Sequence, residues 1–113
     1  MSFWRALKKK YLELKDLLKE RHPYCEVCDK NLMTDVGHCL YHVHGKNVAE
    51  RKIYDSYENC QSNCNICNTG YGKNANSREA KKAHWLKRCG ELGEKHMNEW
   101  NARIPKYRRE GFE

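Results

Sequence analysis

The chain has 113 residues, of which 39% are hydrophobic and 33% charged, and its formal net charge is +7. That length points to one domain, and so thin an apolar fraction leaves a marginal core of the kind that small chains reinforce with a metal, disulfides or a partner. No apolar run approaches the about 20 residues of a membrane helix, and Phe3-Trp4 leads straight into Leu7-Lys8-Lys9-Lys10, so neither membrane insertion nor secretion is expected.

The charge is uneven. Lys and Arg outnumber the acids seven to three over residues 1–21 and eleven to six over 68–113, but stand at four against six over 22–67. Basic flanks around a mildly acidic middle suit a protein that grips a polyanion at its edges, although a solvated surface has the same composition.

In chain order, Phe3, Leu7, Tyr11, Leu14 and Leu18 recur at steps of three and four, which predicts an amphipathic helix over 3–21 ended by His22-Pro23. Residues 24–68 are short-range and turn-rich. Within them Val36–Val43 suits a strand, Lys52–Tyr54 a second, and 64–69 the opening of a helix. Residues 69–77 read as a loop, and Ser77 is placed to cap a helix from Arg78. That helix carries a stripe of Ala80, Ala83, Leu86 and Leu92, with Trp85 and Cys89 beside it. Gly90 and Gly93 are placed to break it, and a short helix over 94–101 and a basic tail after Pro105 follow. No internal repeat or linker divides residues 1–113.

The strongest chemical signal is Cys25-Glu-Val-Cys28 with Cys64-Asn-Ile-Cys67. Two C-x-x-C pairs at this separation can supply four thiolates to one tetrahedral Zn²⁺, which would tie together a middle that lacks apolar surface. Disulfides or a redox pair compete less well, because seven cysteines is an odd number and no βαβ pattern surrounds either pair. Cys39, Cys60 and Cys89 read as small buried apolar residues.

Between the pairs lies Gly37-His38-Cys-Leu-Tyr-His42-Val-His44, and later come Asn59 and, nine residues on, Asn68 directly behind Cys67. On a strand, His38, His42 and His44 share a face. Here the chain resembles the HNH (His-Me finger, ββα-metal) nucleases, in their His-Asn-Asn branch, and among them small phage proteins of the recombination endonuclease VII type. Cys-Asn-Ile-Cys-Asn-Thr (64–69), Leu-Tyr-His-Val-His (40–44) and Leu-Met-Thr-Asp-Val (32–36) carry the likeness, which covers residues 24–75.

The resemblance implies an α+β fold. A small zinc-braced ββα-metal core over 24–75 would be flanked by helices at about 3–21 and 78–100. It implies a metal-dependent DNA endonuclease with weak sequence preference, nicking or structure-directed. His42 would be the general base, Asn59 the residue that fixes the His-bearing loop, and Asn68 a ligand of one Mg²⁺ or Mn²⁺. A homodimer and a bacterial host cytoplasm also follow from the likeness. The chemistry suits these groups, since a neutral imidazole can take a proton from water and a carboxamide oxygen is a hard ligand for such an ion. The chain departs from the family at Tyr41, where an acidic metal ligand often precedes the base. His38, His44 or Asp35 would then have to replace that ligand, and His38 and His44 are also candidate phosphate contacts. His38 is also the alternative base, although its distance from Asn59 is long for the family. Arg51, Lys52 and Lys73, followed by Arg78, Lys81 and Lys82, are candidate DNA contacts. The competing expectation, motivated by Tyr41, is a zinc-dependent nucleic-acid-binding protein without catalysis.

Overall fold

In the computed structural model, which describes residues 3–41, 48–69 and 77–104, five helices surround a two-stranded antiparallel sheet. The elements are α1 (Phe3–Arg21), β1 (Asp35–His38), α2 (Val48–Tyr54), β2 (Cys60–Asn63), α3 (Asn65–Thr69), α4 (Arg78–Leu92) and α5 (Glu94–Ala102). Among the described residues no helix is long and apolar enough to cross a membrane.

Helix α1 uses only part of its stripe. Leu14 and Leu18 are buried and pack with Met33, Val36 and Cys60, while Leu7 and Tyr11 are half-buried. Phe3 and Trp4 stand in solvent, edge to face at 5.3 Å, because only the last turns of α1 reach the sheet.

Strand β1 pairs with β2 from Asp35 opposite Asn63 to His38 opposite Cys60. The pleat sends Val36, His38, Cys60 and Ser62 to the α1 side, and Asp35, Gly37, Gln61 and Asn63 to the other. Gly37 leaves room for the Asn63 carboxamide, which a Cβ there would push aside. The open edge of β2 is closed by Glu26, through main chain and side chain, and by Arg88, instead of a third strand. The Ser62 amide donates to Glu26 Oε1 at 2.8 Å, the Glu26 amide to the Ser62 carbonyl at 2.7 Å, and Arg88 Nη2 to the Cys60 carbonyl at 2.7 Å.

Three expectations are corrected. The strand placed over Val36–Val43 is β1, and it ends at His38; Leu40 and Tyr41 turn inward to be bonded by a side chain. Lys52–Tyr54 is not a strand but the last turn of α2, where Ile53 and Tyr54 meet the core; three residues carry no period that separates the two forms. β2 instead lies over Cys60–Asn63, a polar stretch without strand character that is nonetheless buried at every position.

The third correction concerns α4. Ser77 caps it as expected, its Oγ accepting from the Ala80 amide at 3.1 Å. Its buried residues, however, are Lys81, His84 and Arg88, whereas Leu86 and Ala83 face solvent. Glu26, Glu58 and the carbonyls of β2 are what α4 packs against, so its polar face turns inward. Gly90 does not break α4. Gly93 does, at φ 92, a conformation that favours glycine, and its amide closes the helix on the Cys89 carbonyl at 2.8 Å. Helix α5 then folds back, and Met97 and Trp100 bury against Cys39, Leu40, Tyr41 and Tyr54, with Trp85, Cys89 and Leu92 alongside. Cys39 and Cys60 are fully buried and Cys89 partly so, as expected of apolar thiols, and the burial of Cys39 and Cys60 pushes both pKa values up.

Candidate functional site

The first cysteine pair sits on a tight reversal. Tyr24 bridges to Leu32, the Cys25 amide bonds the Asn31 carbonyl at 2.7 Å, and the Asp29 amide bonds the Cys25 carbonyl at 2.8 Å. Asp29 adopts φ 59, which a short polar side chain tolerates. The second pair spans the end of β2 and the start of α3. Together the four Sγ atoms of Cys25, Cys28, Cys64 and Cys67 lie within 4.8 Å of one another, and Cys28 and Cys64 are 3.9 Å apart. Tetrahedral Zn–S bonds of about 2.3 Å place sulfurs about 3.8 Å apart, so the cluster could hold a structural zinc ion with little movement. None of the seven cysteines is in a disulfide.

The surroundings favour thiolates at two of the four positions. Backbone amides of Asn31 and Lys30 lower the pKa of Cys28. Burial works against Cys64, but hydrogen bonds from Asn31 Nδ2 and the Cys67 amide, each at 3.5 Å, bring it down to about 6. Burial and bonding to the other sulfurs push Cys67 up. A dication bound there would displace the remaining thiol protons.

Asn59 is fully buried and uses its whole carboxamide. Its Oδ1 accepts from the amides of Leu40 at 2.9 Å and Tyr41 at 2.6 Å, and its Nδ2 donates to the carbonyls of Tyr41 and Tyr54, each at 2.9 Å. It thereby fixes the main chain immediately before His42. It is closed to solvent. His42, His44 and Lys73 lie outside the described residues.

Asn68 is exposed on α3 beside Cys67, and its Oδ1 accepts from Asn63 Nδ2 at 3.2 Å. Asn63 is buried, on the α3 side of the sheet. His38 is on the other side, where its Nε2 lies 2.9 Å from Asp55 Oδ1 and its ring stacks on Tyr54 with centroids 3.7 Å apart. Asp55 is bonded in turn by Arg51 Nε at 2.9 Å. The structure thus joins Asn68 to the thiol corner and His38 to α2, with the sheet between them. Asp55 and Asn63 had no signal in the sequence, since each acquires its partner only by the folding of separate segments.

Arg51 and Lys52 line a groove of about 360 Å³ between α1 and α2, with Lys10, Glu13, Leu14 and Tyr57 among its walls. Arg78 and Lys82 are exposed on α4, but Lys81 is buried and thus withdrawn from any phosphate.

Beyond the thiols, Arg88 organises the interior. Its guanidinium bonds Glu26 through two atoms at 3.0 and 3.1 Å, Glu91 at 2.9 Å and the Tyr57 carbonyl at 3.2 Å. Burial would raise the pKa of Glu26, but the bonds and charge of Arg88 lower it on balance, and Arg88 is raised in turn. His22, Glu26 and Glu91 also have ligand atoms within 4.8 Å. The guanidinium already supplies the cation for those carboxylates.

Comparison of this chain with protein-family models, with curated proteins and with solved structures finds no match.

Proposed function

We propose that this protein is a metal-dependent DNA endonuclease built on a zinc-braced ββα-metal core. The observation that carries the reading is the Asn59 clamp. A buried carboxamide holds the backbone of Leu40 and Tyr41 through three bonds, directly ahead of His42, while the thiol corner presents Asn68 next to Cys67.

In this reading Asn59 orients the segment bearing His42, whose neutral imidazole takes the proton from an attacking water. Asn68 offers its Oδ1, aimed by Asn63, as one hard ligand for Mg²⁺ or Mn²⁺. Such an ion, when bound, neutralises the phosphate and stabilises the leaving oxygen. His38 faces the other side of the sheet, whereas Asp35 stands on the Asn63 side with its Oδ2 3.5 Å from Asn65 Nδ2, so the remaining protein ligand would be Asp35 or His44. Arg51, Lys52 and Lys10 would hold flanking phosphates along the α1–α2 groove, without reading bases.

The test is plasmid nicking by zinc-loaded protein with Mg²⁺ or Mn²⁺. His42→Ala is expected to slow cleavage about 10²- to 10⁴-fold, and Asn68→Ala to raise the metal concentration required. Asn59→Ala should abolish nicking while zinc content stays at one per chain. Cleavage by His42→Ala at the parent rate would remove His42 as base.

One observation favours a second reading, a zinc-dependent nucleic-acid-binding protein without catalysis. Tyr41 is 1% exposed and packed in the core, so the position before His42 offers no metal ligand at all. That reading expects salt-sensitive DNA binding and no strand breaks at any metal concentration.

A further inference from the structure

His38 takes no part in the constellation above. It closes β1 on the face of the sheet away from Asn68, and its side chain is 16% exposed. Its ring lies flat on that of Tyr54, with centroids 3.7 Å apart and planes 8° from parallel. Its Nε2 is 2.9 Å from Asp55 Oδ1, and since a carboxylate only accepts, that nitrogen carries the proton and donates. The second carboxylate oxygen of Asp55 accepts from Arg51 Nε at 2.9 Å, and the Arg51 guanidinium lies over the Tyr54 ring, 5.3 Å from its centroid. The imidazole is thus committed, by its face and by its edge, to the last turn of α2 and the residue after it.

That turn matters because of the Tyr54 main chain. Its carbonyl oxygen accepts from Asn59 Nδ2 at 2.9 Å, and the Tyr41 carbonyl accepts from the same nitrogen. Residues 42–47, which carry His42 and His44, join Tyr41 to α2. Asn59 therefore holds the chain on both sides of that segment, through Tyr41 before it and Tyr54 after it. Helix α2 has only seven residues, too few to persist in isolation, so tertiary contacts set where its end lies. Ile53 and Tyr54 supply the apolar part of that anchor, and His38 the hydrogen-bonded part.

Relying on the endonuclease reading above, we propose that His38 is a positioning residue for that reaction. It pins the end of α2 through Asp55 and Tyr54, so that the Tyr54 carbonyl meets Asn59 and the His42 segment is held from its second end. It neither takes the proton from water nor binds the divalent ion.

The experiment compares the zinc-loaded parent with His38→Ala and His38→Gln at a temperature where all three are folded. The glutamine amide can still donate to Asp55 from the place of Nε2, but it cannot act as a base. One readout is plasmid nicking at saturating Mn²⁺ over a range of DNA concentrations. The other is hydrogen exchange of the Asn59 side-chain amide, followed by NMR without added Mg²⁺ or Mn²⁺. His38→Ala is expected to lower kcat about 10- to 10²-fold, the cost of a slightly misplaced reacting group, while KM for DNA and zinc content stay at the parent values. It should also speed exchange at Asn59 about tenfold, the worth of one hydrogen bond. His38→Gln should recover most of the kcat and the slow exchange. Loss of kcat in both variants with exchange at the parent rate makes His38 the base, and overturns the positioning role while the endonuclease reading stands. A lower Tm in His38→Ala with kcat and Asn59 exchange unchanged reduces His38 to a stabilising contact and overturns it as well. Absence of nicking by the parent removes the endonuclease reading, and the positioning role with it.

Discussion

The thiol corner and the buried face of α4 both tie distant segments to β2, but they balance charge in opposite ways. Cys25, Cys28, Cys64 and Cys67 gather four sulfurs that repel one another once ionised, so a cation such as Zn²⁺ would complete the corner. Arg88 and Glu26 bring both signs with the chain and satisfy the edge of β2 at the same time. With zinc in the thiol corner, one anchor would have a strength set by metal supply, and the other has a strength set by the chain alone. Comparing them separates what the metal does from what the fold does.

The largest expected effect comes from breaking the first anchor. Structural zinc contributes about 10–16 kcal/mol in small domains, more than the stability of a chain this size. Chelation, or Cys64→Ser, should abolish cooperative unfolding and near-ultraviolet dichroism, and inductively coupled plasma analysis should fall from one zinc per chain to none. A chelated protein that still melts cooperatively at the parent temperature would show that the thiols are a passive cluster.

Next is the second anchor. Arg88→Met leaves buried Glu26 with only the longer contacts to His22 at 3.8 Å and Lys87 at 3.9 Å, a loss of up to about 3–5 kcal/mol, whereas Arg88→Met with Glu26→Leu should recover part of it. Urea titration at saturating zinc measures both. Full recovery is not expected, since Glu26 Oε1 also accepts from the Ser62 amide and Arg88 Nη2 also donates to the Cys60 carbonyl. If Arg88→Met lowers zinc occupancy as much as stability, the two anchors are one cooperative unit.

The smallest effect separates them by pH. Burial, then the charge of Arg88, depress the His84 pKa to about 4 from 6.5. The unfolded chain binds the extra proton first, so this contribution is complete above pH 6.5 and is lost as pH falls toward 4. Its full size is about 3 kcal/mol at 1.36 kcal/mol per pKa unit. Acid also protonates the thiols, so the informative quantity is the difference between parent and His84→Gln, measured by urea titration at fixed zinc. The variant should show a shallower loss over that window, and an unchanged slope would place the acid sensitivity entirely in the thiol corner.

These two regions also differ in how far they could be read from residues in a row. The C-x-x-C pairs announce a common ion because two-residue spacers dictate local geometry, and the four sulfurs do converge. The Ser77 cap and the end of α1 at Arg21 were legible for the same local reason. The buried face of α4 was not. Ala80, Ala83 and Leu86 make the more apolar stripe, yet Lys81, His84 and Arg88 are inside, because polar groups are accepted there by Glu26, Glu58 and β2 carbonyls that come from elsewhere in the chain. Strand β2 was missed for a related reason, as Gln61, Ser62 and Asn63 lack apolar alternation and are held by partners. Asn59 was singled out by its spacing, but its four bonds to Leu40, Tyr41 and Tyr54 depend on the folded chain.

By itself the sequence determined the helix stripe of α1, the cap of α4 and which four thiols meet, since each depends on spacing within a turn or two. Only the tertiary structure decided that His38 would face Asp55 and not Asn68, and that α4 would bury its charges. Those outcomes follow from the pleat of a two-stranded sheet and from hydrogen-bond partners far away in sequence, which no local pattern encodes.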